Sequence, residues 1–551
     1  MTSIMTPHPD WYRDAVLYSL DVKTFADGNG DGIGDFVGLR DRLDYLDDLG
    51  VTCLWLLPFY PSPWRDNGYD VADYYGIDER LGTMGDFHRF LDDAHDRGMR
   101  VLVDMVFNHT STEHQWFQRA RDGDEKYREY YLWTDDPADA PEEDTIFPGE
   151  EESVWTYDEA ADAYYYHQFY HFQPDLNVSN PDVQAEIERV LQFWTEQGVD
   201  GFRVDAATPM IGAKGAAPVS IDEPHVLFKQ MKRAVSEVDD ETVLLAEADD
   251  EPAELRRYFG EGDEFDLLLS FVSNAHLLWA LADENADHLA EAFDRLPAYE
   301  DIVECGQWAN FLRNFDELNL GPLPYEQFQR AIEVIGADHD TRIYGRGVRR
   351  RLASILGGDT DRLACATSLC FALPGTPIVV AGDEIGMGDE LSLPGRDAVR
   401  TPMQWTDDPT AGFSTADPDS FVRPLVDGEY GPEAVNVAAQ RADPDSLLAR
   451  VRAIVETRKA CPELSRGQQS VVDTDEQTVF VHRSEWDGTT LLTAHNVGPD
   501  PVSVSLDAPD DVATHLLGPG DYSLDSDTLS VELGGYDYCW LRLGQPRTRT
   551  A

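Results

Sequence analysis

The chain has 551 residues, 42% of them hydrophobic and 11% aromatic, which argues against disorder and favours two or three packed domains. Its 105 acidic residues against 43 basic ones give a formal net charge of −62 at pH 7. This balance argues against a nucleic-acid or membrane partner, because phosphate groups are bound by clusters of Lys and Arg. The acidic residues punctuate apolar patterns as a solvated surface does, which predicts adaptation to high salt, where counterions screen self-repulsion.

The six cysteines are scattered and mostly flanked by apolar residues, with neither a CxxC pair nor a metal-ligand spacing. Buried free thiols are therefore predicted. The N-terminal stretch MTSIMTPHPDWYRD has no apolar signal core, and no stretch has the length of a membrane span. A cytoplasmic location is expected, unless a leader has been removed.

Eight short apolar runs alternate with amphipathic helical patterns. The helical patterns include residues 36–49 and 183–194, each followed by a glycine stop. Alternation of this kind predicts an α/β fold, a parallel (β/α)₈ TIM barrel. An open doubly wound sheet is the alternative, because the number of strands does not show closure. The eight runs are residues 15–22, 51–59, 100–107, 201–206, 242–248, 265–271, 308–314 and 376–382.

Two regions depart from the alternation. A long connection rich in Tyr, Trp, Asp and Pro follows the third run, and a loop of that length is normally a functional insertion. Residues 110–178 are thus predicted to form a small insertion domain after strand 3. From residue 465 onward, short alternating strands separated by turn residues predict a C-terminal antiparallel β-sandwich, residues 465–551. The catalytic barrel is expected to comprise residues 1–109 and 179–464.

Three acidic residues follow predicted strands: Asp205 in GFRVDA, Glu247 in LLAEAD and Asp316 in FLRNFDEL. The carboxyl ends of barrel strands are where barrel enzymes assemble their active sites. A carboxylate nucleophile, a carboxylic acid that exchanges a proton and a third charge are sufficient for retaining glycoside chemistry. A single strand-end acid is more often a surface or loop-capping residue, so the prediction depends on all three together.

Six motifs, in order between Tyr18 and Trp405, resemble those of the α-amylase superfamily. By that resemblance Asp205 is the nucleophile, Glu247 the general acid/base, and Asp316 the residue that holds the sugar hydroxyls. Arg203 lies two residues before Asp205, on the same strand face, where it keeps the nucleophile ionised. The motifs are DMVFNH (104–109), QPDLN (173–177), GFRVDA (201–206), Glu247, residues 314–316 and GTPIVVAGDEIGM (375–387).

Four further residues match the family's pocket for a terminal glucose: Tyr69 and Asp70 in NGYDVADY, His109 in DMVFNH, and Arg400 in VRTPMQW. By the resemblance, an Asp–Arg pair that clamps the outer hydroxyls of one sugar closes the pocket at one end and favours short substrates. A single histidine of this kind is more often a buried core residue, but the place of His109 at a strand end beside Asn108 favours the site.

The fourth family motif contains one departure. Phe315 stands where the family has a histidine between the asparagine and the aspartate. The histidine would donate a hydrogen bond to the glucose beside the nucleophile, and a phenyl ring has no donor. Losing such a preorganised donor costs a factor of about 10²–10³ in rate. Weakened or redirected activity is expected, unless another donor replaces it.

The loop DGNGDGIGD (27–35) predicts a structural calcium site. Asp27, Asn29, Asp31 and Asp35, with a backbone carbonyl near Ile33, offer the hard oxygen ligands that Ca²⁺ prefers. The resemblance also implies a family calcium site on the loop after the first strand. A glycine-rich turn is the alternative. No organic cofactor is expected.

Within the superfamily, three segments look most like the trehalose synthases and their relatives: residues 342–356, 382–389 and 399–405. Ala206, the small residue after the nucleophile, goes with α-1,4 specificity in related glucosidases. The stretch ATPMIGAKGAAPVSIDEPH (207–225) departs from the longer loop that helps close trehalose synthases, although its last three residues are similar.

Three hypotheses follow. The first is a glucosyl mutase that interconverts maltose and trehalose. The second is an α-glucosidase or maltooligosaccharide hydrolase with the same covalent intermediate and water as the acceptor. The third is a weakly active or non-catalytic sugar-binding homologue, for which Phe315 is the only support. Small sugars are the expected partners in each case.

Overall fold

The computed structural model describes residues 9–140, 143–212, 214, 225–507, 512–525 and 528–544. Residue 213 and residues 215–224, most of the stretch that departs from trehalose synthases, lie outside the described residues, as do residues 1–8 and 545–551.

Eight parallel strands close into a barrel, which confirms the predicted (β/α)₈ fold and excludes the open sheet. Around the barrel each strand lies beside the next one in the chain, and the eighth lies beside the first. The strands are Leu17–Leu20, Cys53–Leu56, Arg100–Met105, Gly201–Val204, Val243–Ala246, Leu267–Leu269, Gln307–Phe311 and Thr376–Val380.

The barrel strands are buried on both faces. Every residue of the second, fourth and fifth strands is buried. Parallel strands are covered by helices outside and by packed side chains inside, so their sequences are continuous apolar runs rather than alternating patterns. This is why the eight short apolar runs in the sequence correctly predicted the positions of all eight strands.

The two helical patterns have different outcomes. The pattern at 183–194 forms a single helix, Pro181–Glu196, which begins with a proline at its first position after the cap Asn180. The pattern at 36–49 forms two helices, Phe36–Asp41 and Leu43–Leu49, because the backbone at Arg42 (φ −105°, ψ 1°) leaves the helical region. The helical period and the stop at Gly50, the left-handed cap of the second helix, are as predicted, and the division into two helices is not.

By its contacts the chain divides into two compact units, and the predicted boundaries of the three domains stay predictions. Among the described residues, the first unit comprises residue 9, residues 35–40 and residues 54–268. Within it, the predicted insertion holds a three-stranded antiparallel sheet of Trp133–Thr134, Ala163–Tyr166 and Trp155–Asp158. The other helices of this unit are Met84–Asp96, Gln115–Arg121, Glu125–Arg128, Ala207–Ile211 and Val226–Ser236, with 3₁₀ turns at Pro137–Asp139 and Leu255–Phe259.

The second unit comprises residues 10–34, residues 41–53 and the described residues from 269 onward. A small sheet of Leu318–Asn319, Gly347–Val348 and Arg342–Ile343 follows the seventh barrel strand. The α-helices not yet named are Val22–Phe25, Phe271–Asp283, Asp287–Arg295, Tyr299–Ile302, Tyr325–Val334, Leu352–Ile355, Thr360–Ala372, Val437–Ala442, Leu447–Lys459 and Glu463–Arg466. The 3₁₀ turns are Trp11–Asp14, His339–Thr341, Asp383–Ile385, Gly395–Val399, Pro418–Ser420 and Gly428–Tyr430.

The C-terminal part of the second unit contains two antiparallel sheets, as predicted. Aliphatic residues of both sheets, such as Val481 and Val531, form one buried core. The five-stranded sheet has the order Gln468–Val472, Val479–Trp486, Thr489–Asn496, Tyr538–Leu543 and Ala513–Leu517. The three-stranded sheet has the order Val502–Asp507, Thr528–Leu533 and Asp521–Asp525.

All six cysteines are free thiols, and five of them are buried, as predicted. The exception is Cys305, which is partly exposed. Among the described residues, no helix has both the length and the apolar character of a membrane span.

Candidate active site

Asp205 and Glu247 each follow the last residue of a barrel strand, the fourth and the fifth respectively. The backbone hydrogen bonds of the barrel continue past the strand ends. The N–H of Asp205 donates to the carbonyl of Met105 at 2.9 Å, and that of Glu247 to the carbonyl of Val204 at 3.0 Å. Both carboxylates are therefore anchored to the barrel sheet rather than to a free loop.

One buried arginine joins these two carboxylates. The guanidinium of Arg203 lies 2.6 Å from Oδ1 of Asp205 through Nη1 and 2.8 Å from Oε2 of Glu247 through Nη2. Only 2% of the Arg203 side chain is exposed, against 21% for Glu247. The two acids thus lie within the span of a single guanidinium group, the arrangement that places a nucleophile and a proton donor beside one sugar.

A third carboxylate, Asp104, completes this cluster. Nη1 of Arg203 also donates to Oδ1 of Asp104 at 2.6 Å, and the hydroxyl of Tyr69 donates to its Oδ2 at 3.0 Å. Burial raises the pKa of Asp104 to about 6, against the opposing charge of Arg203. Asp104 was not among the predicted site residues, although it opens DMVFNH and is the registered neighbour of Arg203 between the third and fourth strands.

The backbone after Asp205 is left-handed. Ala206 has φ 49° and ψ 44°, a conformation that costs an L-residue roughly 1–2 kcal/mol. In this conformation the N–H of Ala206 donates to Oε2 of Glu247 at 3.0 Å. The turn therefore links the residue after one catalytic candidate directly to the other.

Asp70, predicted to clamp a terminal sugar, is completely buried. Its carboxylate accepts hydrogen bonds from the hydroxyl of Ser62 at 2.9 Å and from the N–H groups of Arg65 at 3.1 Å and Asp66 at 3.2 Å. Burial raises the pKa of Asp70 to about 6. Its neighbour Asp66, which was not among the predicted site residues, is partly exposed. Oδ2 of Asp66 accepts a hydrogen bond from Nε2 of Gln173 at 2.9 Å.

His109 is also buried. Its Nε2 lies 3.2 Å from the carbonyl oxygen of Tyr69, and its ring centroid lies 5.0 Å from that of Phe169. Burial lowers the pKa of His109 to about 4, so the imidazole is neutral near pH 7. These contacts fit a buried core histidine as well as a residue of the sugar pocket. The neutral ring is buried, and it also contacts Tyr69, which is itself a predicted pocket residue.

A buried ammonium group, that of Lys214, contacts Asn108, the residue before His109. Nζ of Lys214 donates to Oδ1 of Asn108 at 2.6 Å and forms an ion pair with Asp175 at 2.8 Å. Burial lowers the pKa of Lys214. Its partners belong to DMVFNH and QPDLN, so this lysine joins two of the recognised motifs, which sequence reasoning did not foresee.

Asp316, in the second unit, lies on the loop beyond the end of the seventh strand, Gln307–Phe311. Oδ1 of Asp316 is 2.8 Å from Nη2 of Arg400 and 3.0 Å from Nη1 of Arg396. Nε of Arg400 donates to the carbonyl of Phe315 at 2.7 Å, while the Phe315 side chain is buried. Arg400 therefore binds both the backbone and the carboxylate of this loop. Arg396 was not predicted.

The carboxylates of the predicted calcium loop accept backbone hydrogen bonds. Asp27 accepts from three N–H groups of the loop, at distances between 2.6 and 3.0 Å. Asp31 accepts from the N–H of Ile33 at 2.9 Å, and Asp35 from that of Gly38 at 2.7 Å. Hydrogen bonds of this kind occur both in calcium-binding loops and in turns that bind no metal, so they do not distinguish between the two alternatives.

Asn29 and Asp31 are exposed on this loop. Among the described residues, no three His, Cys, Asp or Glu side chains converge into a metal-binding group. An amide and a backbone carbonyl, such as those of Asn29 and Ile33, would have to complete a site here. Calcium stays a prediction.

The family model for the α-amylase catalytic domain matches residues 21–467, most of the chain. The chain belongs to the α-amylase family. The match contains all three acids, Arg203 and Arg400.

Two characterised relatives are trehalose synthases. The chain is 42% identical over 492 residues to the trehalose synthase of Thermus thermophilus, a match that covers 89% of this chain and 50% of that protein. It is 38% identical over 566 residues to the trehalose synthase of Pimelobacter sp. strain R48, covering 99% of this chain and 98% of the relative. The chain thus spans half of the first relative and nearly all of the second.

A solved structure of similar fold is the trehalulose synthase MutB from Pseudomonas mesoacidophila MX-45. It superposes with a TM-score of 0.77 at 27% sequence identity, covering 98% of this chain and 100% of that one. The two chains therefore share their fold over nearly their whole length.

The buried state of His109 predicts a pH-dependent stability. Its pKa is about 4 in the folded chain against 6.5 for an exposed histidine, so the neutral ring contributes stability above pH 6.5 that is lost as the pH falls towards 4. The full contribution is about 3 kcal/mol. We expect His109→Gln to remove this part of the pH dependence, measured by chemical denaturation at pH 7 and pH 5. His88→Gln, at a partly exposed ring, should keep the wild-type dependence, and equal slopes for both variants would contradict the prediction.

Proposed function

We propose that the chain interconverts maltose and trehalose through a covalent glucosyl intermediate on Asp205. The observation that carries the proposal is the pair Asp205 and Glu247, bridged by the guanidinium of Arg203 at 2.6 and 2.8 Å. Family membership and relatives named trehalose synthase support the same reaction. Asp316 takes the role of binding the sugar hydroxyls.

In the first half of the reaction, an oxygen of Asp205 attacks the anomeric carbon of the non-reducing glucose. The bond to the glycosidic oxygen breaks, and Glu247 gives its proton to that oxygen. Arg203 stabilises the anionic form of Asp205 that is needed for the attack. The products of this half are the glucosyl-Asp205 ester and a free glucose.

In the second half, a hydroxyl attacks the same carbon and gives its proton to Glu247, while Asp205 leaves as a carboxylate. Glu247, which gave up its proton in the first half, acts as the base in this step, and its Oε2 is held by Arg203 and by the N–H of Ala206. If the attacking group is the anomeric hydroxyl of the released glucose, the product is trehalose. If it is water, the product is glucose.

An α-glucosidase or maltooligosaccharide hydrolase is therefore the second candidate, since it shares every step except the identity of the acceptor. What separates the two is how well the site excludes water. A non-catalytic homologue is the third candidate, supported by Phe315 and opposed by the presence of all three acids. The preference for the mutase comes from the named relatives.

Product analysis tests the proposed function. Incubation of the chain with maltose, maltotriose or trehalose in buffered high salt is expected to convert maltose and trehalose into one another, with glucose as a minor product. A fluorinated glucosyl donor should label Asp205, detected by peptide mass spectrometry, because the fluorine slows release of the ester. Asp205→Asn should lose about 10³-fold or more of the activity, whereas Asp92→Asn, an exposed residue on an outer helix, should lose none. Glucose as the only product would favour the hydrolase, and an unlabelled, inactive chain would favour the non-catalytic homologue.

Phe315 supplies the second functional test. Phe315→His restores a hydrogen-bond donor on the Asp316 loop, and we expect the turnover of maltose to rise about 10-fold or more, within the range that a preorganised donor is worth. Phe315→Leu, which offers no donor, should leave turnover at or below the wild-type value. A fall in turnover for the histidine variant would mean that the pocket is built around the phenyl ring.

We further propose that calcium binds the loop of residues 27–35 and that high salt stabilises the acidic surface; a cytoplasmic location stays a prediction. Support comes from the oxygen-rich loop and from the net charge of −62. Thermal unfolding checks the calcium proposal and the salt proposal.

Micromolar calcium should raise the Tm of the wild-type chain and should not change the Tm of Asp27→Ala, because calcium would bind specifically. Molar KCl should raise the Tm of both, since screening is general. An identical response to calcium in both chains, or no response to KCl, would refute the corresponding proposal.

A further inference from the structure

A network of alternating charges surrounds Asp316. It consists of Arg346, Glu317, Arg396, Asp316 and Arg400, and is called the Asp316 network here. Oδ1 of Asp316 is bound by two guanidinium groups, that of Arg400 at 2.8 Å and that of Arg396 at 3.0 Å. A carboxylate oxygen that is bound by two cations is held in one orientation and favoured in its ionised form.

Glu317 fixes the position of Arg396. Its side chain is 4% exposed, and its two oxygens have different partners. Oε1 lies 2.8 Å from Nη2 of Arg346, and Oε2 lies 2.8 Å from both Nε and Nη2 of Arg396. Arg396 thus holds Glu317 with two nitrogens and Asp316 with the third. A buried carboxylate that loses its partner is strongly destabilised, so Glu317 keeps Arg396 in this place.

Tyr344 packs against the same two arginines. The Cζ atom of Arg396 lies 5.2 Å from the ring centroid of Tyr344, and that of Arg346 lies 5.7 Å from it. Both distances are within the range of cation–π attraction. Tyr344 has a left-handed backbone with φ 55°, in the turn between Arg342–Ile343 and Gly347–Val348, so the turn sets the direction of the ring.

The side chain of Phe315 has no polar atom, so it contributes no hydrogen bond to the orientation of Asp316. Only its backbone carbonyl binds the network, through Nε of Arg400 at 2.7 Å. The Asp316 carboxylate is therefore oriented by guanidinium groups and not by the side chain that precedes it.

We propose that Arg396 and Glu317 are positioning residues for the reaction: they hold the carboxylate of Asp316 in the orientation and the ionised form in which it binds the sugar. The inference rests on the proposed function, because Asp316 is taken there as the sugar-binding acid. A preorganised carboxylate needs no reorientation when charge develops on the sugar ring. The contribution of the two residues should therefore fall on kcat more than on KM.

Three substitutions separate charge from geometry. Arg396→Gln removes the cation, Arg396→Lys keeps the cation and loses the forked geometry, and Glu317→Gln keeps the shape and loses the anion that holds Arg396. Arg342→Gln is the matched control: it removes one positive charge from the same hairpin, where its Nε donates to the carbonyl of Gly336 at 2.7 Å.

All variants are compared by the kcat and KM of maltose turnover and by the rate at which a fluorinated glucosyl donor labels Asp205. We expect kcat and the labelling rate of Arg396→Gln and Glu317→Gln to fall about 10- to 100-fold, with KM within about 3-fold of the wild-type value. In Arg396→Gln the acidic limb of the kcat/KM profile should move to higher pH, because the carboxylate of Asp316 protonates more readily without this cation. In Arg396→Lys the limb should stay in place while kcat falls. A purely structural role would not separate these two variants.

The inference would be overturned if Arg396→Gln and Glu317→Gln had the same kcat, the same labelling rate and the same pH of the acidic limb as Arg342→Gln. If Glu317→Gln does not fold, as judged by its Tm and circular dichroism, Arg396→Lys decides, since it changes only reach and geometry. If Asp205 is labelled but no trehalose forms, the proposed mutase is refuted. The present inference can still be tested in that case, through the labelling rates of the variants. A wild-type chain that is never labelled would overturn both.

Discussion

The acidic cluster at the ends of the fourth and fifth barrel strands depends on one buried cation. Arg203 is surrounded by Asp104, Asp205 and Glu247, so three carboxylates share a single guanidinium group. Without it these acids would repel one another in a poorly hydrated space, and at least one would take up a proton. The cluster is thus both a stabilising element, which fixes the ends of two strands, and an electrostatic device, which under the proposed function keeps Asp205 ionised beside the acid/base Glu247.

The second acid-bearing region follows the same design with the charges reversed. Around Asp205 one guanidinium serves several carboxylates, whereas around Asp316 several guanidiniums serve two carboxylates. In each case the carboxylate proposed to act on the sugar is oriented by charged groups that are themselves held in place by further ion pairs. Such networks resist reorganisation, which is the property that lets a site stabilise developing charge. The family assignment gives the chemistry, and these contacts give the means by which this chain performs it.

The barrel was predictable because strands buried on both faces leave a strong trace, a short uninterrupted apolar run, and the acids were predictable because each follows such a run. Three features were not. The break at Arg42 interrupts a helix without interrupting its apolar period. The partners of Lys214 lie far from it along the chain, in two separate motifs. In the sequence nothing distinguishes Arg396 from many other arginines, and its contacts with Asp316 and Glu317 arise only in the fold. Contacts between distant residues depend on the closed fold, which a local pattern does not contain.

The left-handed turn at Ala206 constrains how this enzyme could change its substrate. By the family resemblance, the residue at position 206 goes with the linkage specificity of related glucosidases, so a larger or branched side chain there is a natural substitution to consider. At φ 49° the backbone disfavours every residue with a branched β-carbon, and valine or isoleucine would be a pronounced outlier. A branched side chain at position 206 would therefore come with a less stable turn, whatever it did for the choice of linkage.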